Sequence, residues 1–390
     1  IFLYQMLIKK KLYSQIETIL DKMHQKEVYQ DYFRTYATLK EGKKNSDPGF
    51  LHFYTQEISP KNMILYENEP KQFTYCDKEA NENMPDFPIE NKYMINISSS
   101  QQRPYQNKIS TEFITIHDTG NDRQGADGLA HAKYVATGEG VTTSWHFTVD
   151  EKVIFQHMPL SEKAYHAGDK LNPFDLSDSG IKSDGSEPEM YFDPNDKYLY
   201  INKQKSLLKI DDDAEGVEIT PDGLYWQLGE NGNYYINHFY YNTIYQKISN
   251  GGGNSNSIGI ESCIQEGVIY SRVMRNLGTL VSRLLDYFNL DPRRVMKHRN
   301  FSGKLCPQSM IKAKEGTMFE YKNLMNLISE YYDIIKKLPG AKFTYKSNNP
   351  DLLDDKGFIL KYVEKDTEVS YRVTVQVGKT TVEKEYKTII

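Results

Sequence analysis

The chain has 390 residues, 38% of them apolar and 26% charged, with a formal net charge of −5. That length points to more than one folding unit, since single cores seldom grow beyond about 250–300 residues. The mildly acidic balance excludes a bulk positive field of the kind that draws nucleic acid or anionic membranes, and three cysteines (Cys76, Cys263 and Cys306) exclude a disulfide framework while leaving the redox compartment open.

At the N-terminus, "IFLYQMLIKKK" sets an apolar run before a basic one, the reverse of a secretory signal and too short to span a bilayer. With no initiator methionine, the sequence is expected to be a fragment whose true start, and with it a signal peptide, lies upstream. Leu12, Ile16, Ile19, Leu20 and Met23 recur at helical spacing, whereas residues 40–95 are polar and weakly periodic. Residues 1–95 are therefore predicted to form a partly helical N-terminal extension of unknown purpose. "TEFITIHDTG" reads as a strand ending at His117, stopped by Asp118 and Gly120, with a helix near residues 126–136. "TTSWHFTVDEKVIFQH" reads as a hairpin turning at residues 150–152.

Residues 169–256 are rich in Asp, Asn, Gly and Tyr, hold no long periodic element and end in "SNGGGNSNS". They are predicted to be a surface insertion over about residues 170–255 that shapes substrate access and lies outside the core. "SIGIESC" is a short strand, and "YSRVMRNLGTLVSRLLDYFNL" places Val273, Leu277, Leu280, Val281, Leu284, Leu285 and Phe288 on one helical stripe. Strands alternating with helices argue for an α/β domain over residues 96–335, a mixed central sheet flanked by helices. Residues 340–390 change character: "VSYRVTVQVGKTTVEKEYKTII" alternates at Tyr371, Val373, Val375 and Val377 and turns at Gly378 and Lys379, which predicts a small C-terminal β-sandwich. Thirty tyrosines against two tryptophans suit stacking on sugars or ordinary use in cores and interfaces.

The stretch "HRNFSGKLCP", residues 298–307, raises a chemical question. A hydrolytic zinc needs about three protein ligands and one open position, and imidazole with thiolate is a preferred set. His298 and Cys306 can supply two, although this spacing alone is a weak pattern that fits a chance polar cluster better. The natural third candidate is His117, because Phe113 and Thr115 share its strand face while Ile114 and Ile116 pack behind.

Five blocks in order, "FITIHDTGN", "TSWHFTVDEKVIFQH", "AYHAGD", "NSIGIES" and "HRNFSGKLCP", resemble the zinc-dependent N-acetylmuramoyl-L-alanine amidases of the type-2 family, whose fold is shared with T7 lysozyme and peptidoglycan recognition proteins. The resemblance covers residues 96 to about 315. It implies Zn2+ held by His117, His298 and Cys306, with Lys304 as the catalytic lysine that stabilises the developing oxyanion and Glu261 as the proton acceptor. It further implies hydrolysis of the amide between N-acetylmuramic acid and L-alanine, peptidoglycan as the partner, and an extracellular or wall-associated setting or a phage-encoded endolysin. A monomer with no nucleic-acid partner and no membrane span is expected. One departure matters: Trp145 stands where T7 lysozyme has a catalytic tyrosine, and an indole has no acidic hydroxyl, which shifts the load to Lys304 and Glu261.

Trp145 and His146 face opposite ways along a strand, so we expect Trp145 as a groove wall and His146 as a satisfied structural histidine. The loop carrying His166 lies beside the substrate groove in the family, which makes His166 a candidate substrate contact. His131 and His157 are expected to be solvated, Cys263 to be a small buried hydrophobe, and Asp118 either to orient His117 or simply to close the strand. The C-terminal module loosely resembles the reduced bacterial Ig-like repeats of secreted Firmicute proteins, which implies adhesion or spacing. Two rival functions remain in view. A non-catalytic peptidoglycan-binding module of this fold typically lacks the cysteine, and a cysteine hydrolase pairing Cys306 with His298 would want a helix N-terminus at the thiol.

Overall fold

The computed structural model describes residues 2–24, 48–54, 89–90, 92–95, 102–103, 110–138, 142–167, 176–186, 188–193, 195–209, 226–237, 252–302, 306–311, 313 and 320–390. In chain order these contain helix α1 (Phe2–His24), strands β1 (Ile89–Glu90) and β2 (Phe113–Asp118), helix α2 (Gly128–Thr137), and strands β3 (Phe147–Val149) and β4 (Ile154–Gln156). Six strands of the insertion follow: β5 (Leu176–Lys182), β6 (Met190–Asp193), β7 (Tyr198–Ile201), β8 (Gln204–Lys209), β9 (Trp226–Leu228) and β10 (Asn233–Asn237). Then come α3 (Gly252–Asn256), β11 (Ser257–Ser262), α4 (Tyr270–Tyr287), β12 (Val295–Lys297), α5 (His298–Ser302), α6 (Gln308–Ile311) and α7 (Tyr321–Lys337). The chain closes with β13 (Lys342–Ser347), β14 (Glu368–Val377) and β15 (Thr380–Ile389).

The central sheet is six-stranded and mixed, in the order β1-β4-β3-β11-β2-β12. Strands β3, β11, β2 and β12 run parallel, and β3 turns antiparallel into β4. Side-chain alternation divides the sheet cleanly. Ile114, Ile116, Phe147, Val149, Ile258 and Ile260 face the main core, whose helical side is α4 and α7. The amphipathic stripe expected on α4 is buried there from Val273 to Leu285. Gly278 lets α7 approach closely, since a Cβ at that position would sit 2.8 Å from Leu327. The opposite face of the sheet carries His117 and Glu261.

The predicted α/β core with a C-terminal all-β segment is the observed architecture, and that segment is a three-stranded antiparallel sheet, β13-β14-β15. Its turn falls at Gly378, whose φ is +57°, as the sequence pattern indicates. Three features depart from the sequence reading. The C-terminal segment is one sheet packed on the main core and not the two facing sheets of a β-sandwich. The insertion holds regular structure, two three-stranded sheets (β5-β10-β9 and β6-β7-β8) around a separate small core of Ile181, Leu199, Ile201, Leu208, Tyr234 and Ile236. The N-terminal residues Ile16, Leu20, Met23, Phe50, Phe53 and Tyr54 belong to the main core, together with Val369, Tyr371 and Val373 of the C-terminal sheet.

Candidate metal centre

Three parallel strand ends build the site, at the carboxyl edge where open α/β sheets place their ligands. His117 is the penultimate residue of β2, Glu261 is its lateral neighbour on β11 in the same register, and His298 follows directly from β12, where Lys297 pairs with Ile116. Parallel register puts the side chains of His117 and Glu261 on one face, side by side. Cys306, four residues past the end of α5, returns to the same place, anchored by its carbonyl, which accepts from the Arg299 backbone N–H at 3.1 Å.

The ligand atoms of His117, His298 and Cys306 all lie within 4.8 Å of one another, and all three residues are buried. His298 Nδ1 stands 3.1 Å from His117 Nδ1, and Cys306 Sγ is 3.6 Å from that same nitrogen. Ring lone pairs held this close repel unless a proton or cation lies between them, and two imidazoles with one thiol are the donor chemistry of a zinc site with a position left open. Glu261 Oε1 lies 3.8 Å from His117 Nδ1. It reaches the surface through a groove of about 550 Å³ lined by Thr119, Asn121, Ala126, Ala130, His131, Tyr134, Trp145 and Glu261.

The neighbouring histidines take distinct places. His146 accepts from the Gly259 N–H at its Nδ1 (3.0 Å) and faces the Glu162 carbonyl with its Nε2 (3.0 Å), which fixes a neutral, fully bonded ring. Trp145 lines the groove, and its indole N–H is spent on Thr148 Oγ1 at 2.7 Å. His157, expected to be solvated, is instead completely buried: its Nε2 meets Thr148 Oγ1 at 2.8 Å and its Nδ1 meets the Tyr93 carbonyl at 3.1 Å. Burial lowers its pKa to about 4. The misreading has a plain cause, because segment 92–95 that covers it is far away in sequence. His131 is half-buried in the groove wall, where burial lowers its pKa.

His166 lies behind the donor cluster and not in the groove lining: its Nδ1 is 2.9 Å from His117 Nε2, on the side of that ring turned away from His298 and Cys306. Asp118 accepts from the Ser309 backbone N–H at 2.6 Å and so ties the strand end to the segment following Cys306. Cys263 is buried and its thiol is pushed up mainly by burial. Lys304 lies outside the described residues. Sequence reasoning missed Asn121 and Tyr134 as groove residues. For Tyr134 a signal existed, its four-residue spacing from Ala130, which lines up a small residue and a ring along one face of α2.

A histidine near the end of a central parallel strand, with a second histidine and a cysteine folded over it, defines an open α/β sheet with three donors at its carboxyl edge that could hold a metal ion. The chain belongs to the N-acetylmuramoyl-L-alanine amidase family, Amidase_2, which matches residues 106–309. It is 25% identical over 220 residues to the N-acetylmuramoyl-L-alanine amidase CwlH of Bacillus subtilis (strain 168), covering 56% of each chain. To the amidase XlyA of the same organism it is 26% identical over 199 residues, covering 51% of this chain and 40% of that one. The chain thus spans about half the length of these relatives. Among solved structures, it is similar to the catalytic domain of XlyA at 23% identity and a TM-score of 0.37, covering 63% of this chain and 99% of that one.

Proposed function

We propose that the chain hydrolyses the amide between N-acetylmuramic acid and the L-alanine of the peptidoglycan stem, acting outside the cell or at the wall as an autolysin or endolysin. The observation that carries this reading is the convergence of His117, His298 and Cys306 beside the Glu261 carboxylate at the inner end of one groove. His117, His298 and Cys306 would hold Zn2+, which supplies Lewis acidity toward a carbonyl and toward water when bound.

The remaining work falls to the chain's own groups. Glu261 accepts a proton from the attacking water at Oε1 and returns it to the leaving alanine nitrogen. Lys304, two residues before Cys306, supplies a positive charge for the developing oxyanion. Trp145 cannot replace a hydroxyl donor, because its N–H is committed to Thr148, and serves as an apolar wall against the substrate. The same convergence disfavours a thiol nucleophile: Cys306 Sγ faces two imidazoles deep in the fold and is not set on the open groove.

Zinc content and activity of Cys306→Ala test the assignment. The variant is expected to lose both bound zinc and hydrolysis of purified peptidoglycan. A variant that keeps full zinc and full turnover would contradict it.

A further inference from the structure

The buried side of His117 is as well built as the side facing Glu261. His117 Nδ1 points toward His298 and Cys306, so in the neutral ring Nε2 carries the proton, and it donates to His166 Nδ1 at 2.9 Å. That bond leaves the His166 proton on Nε2, toward Ser257 Oγ at 3.4 Å, and Ser257 in turn bonds Thr115 Oγ1 and the Gly253 carbonyl at 2.7 Å each. The His166 ring lies against the sheet over Gly259, where a Cβ would meet it at 2.6 Å. Only glycine leaves that space.

The backbone is held just as tightly. Asn254 Oδ1 accepts from both the His166 and Ala167 N–H groups at 2.8 Å. The insertion departs immediately after these two residues, and Asn254 sits on α3, the helix by which the chain returns to β11. One side chain therefore closes the base of the insertion and fixes the residue that orients His117.

We propose that His166 is a positioning residue for the metal ligand His117, held by an Asn254 clamp that joins the two ends of the insertion, and not a substrate contact. This rests on the zinc reading of His117, His298 and Cys306. Partners that orient a ligating histidine set its tautomer and basicity, and their loss costs about 10–100-fold in metal affinity or activity.

The test is zinc affinity of the full chain, measured by competition with a chromophoric chelator, alongside kcat and KM on a soluble muramoyl peptide. His166→Ala is expected to weaken zinc binding about 10–100-fold and to lower kcat at unchanged KM. His166→Asn, whose side-chain oxygen can accept where Nδ1 does, is expected to recover most of the affinity. Asn254→Ala, which leaves the ring in place but frees its backbone, is expected to fall between, and it carries the test if His166→Ala does not fold. Zinc bound equally by wild type, His166→Ala and Asn254→Ala overturns the clamp alone, as does a rise in KM at unchanged zinc affinity. A wild-type chain that binds no zinc overturns the metal reading and the clamp together.

Discussion

His146, His157 and His166 are all buried within one sheet face and its rim, yet each does something different, and the difference lies in which ring nitrogens find partners. His146 and His157 satisfy both nitrogens on backbone and hydroxyl groups, whereas His166 spends one on His117. Holding His157 neutral has a measurable consequence. Its pKa is about 4 when folded and near 6.5 when unfolded, so between those values the unfolded chain binds a proton that the folded chain does not. Stability attributable to His157 is thus complete above about pH 6.5 and declines by about 3 kcal/mol as pH falls to 4. His24, buried and lowered to about 3, adds loss of the same sign over the same range and on down to about pH 3. The midpoint of thermal unfolding should drop steeply from pH 6.5 to 4, and His157→Gln should flatten that slope; an equal slope in the variant would refute the assignment. The three residues that converge, His117, His298 and Cys306, could be named from the sequence through the ordered blocks of the family resemblance, since the spacing of His298 and Cys306 alone is a weak pattern. The burial of His157 was not legible there, because it depends on Tyr93, 64 residues away.

At the scale of elements, the loop from Glu162 to Ala167 is where the site is secured. Arg103 is fully buried and binds Glu162 through two donors, Nε at 2.5 Å and a terminal nitrogen at 2.6 Å, while also donating to the Ile95 carbonyl. The Glu162 carbonyl holds His146, and four residues later stands His166. Removing one partner leaves an uncompensated buried charge, so Glu162→Ala should cost about 3–5 kcal/mol. The double change Arg103→Met with Glu162→Leu should recover much of that. Thermal unfolding of the three proteins checks this, and equal stability of wild type and Glu162→Ala would count against it. Helix α4 was readable from its stripe of seven apolar residues. Strand β12 was not, since three residues carry too little periodicity, although they deliver His298 beside His117. The strands of the insertion were missed for a related reason: short hairpins such as β7-β8, turning at Asn202 and Lys203 with positive φ, show no long repeat, and their core of six buried residues closes only on itself.

Across the whole molecule, the chain ends meet. Helix α1 packs on β15, with Asp21 bonded to Lys384 and Tyr386. His24 Nδ1 lies 2.9 Å from Tyr371 Oη, and Phe53 stacks on Tyr345 at 4.0 Å between ring centroids. The C-terminal sheet shares one continuous core with α4 and α7, which pattern reading of residues 340–390 alone could not reveal because the partners on α1, residues 50–54 and α4 are distant in sequence. Removal of residues 340–390 should therefore expose apolar surface on α1, α4 and α7 and lower the unfolding midpoint of the remainder. A truncated chain that unfolds at the wild-type temperature with wild-type zinc content would show the sheet to be an independent module.

The products of digesting purified peptidoglycan report directly on which bond is cut. Hydrolysis at the muramoyl amide should liberate new α-amino groups belonging to L-alanine, in step with enzyme and zinc, with no rise in reducing sugar ends. A glycosidase would need a pair of carboxylates flanking the sugar bond, roughly 5–10 Å apart, and would raise reducing ends instead. New N-termini on any amino acid other than L-alanine, or reducing ends without new amino groups, would contradict the account.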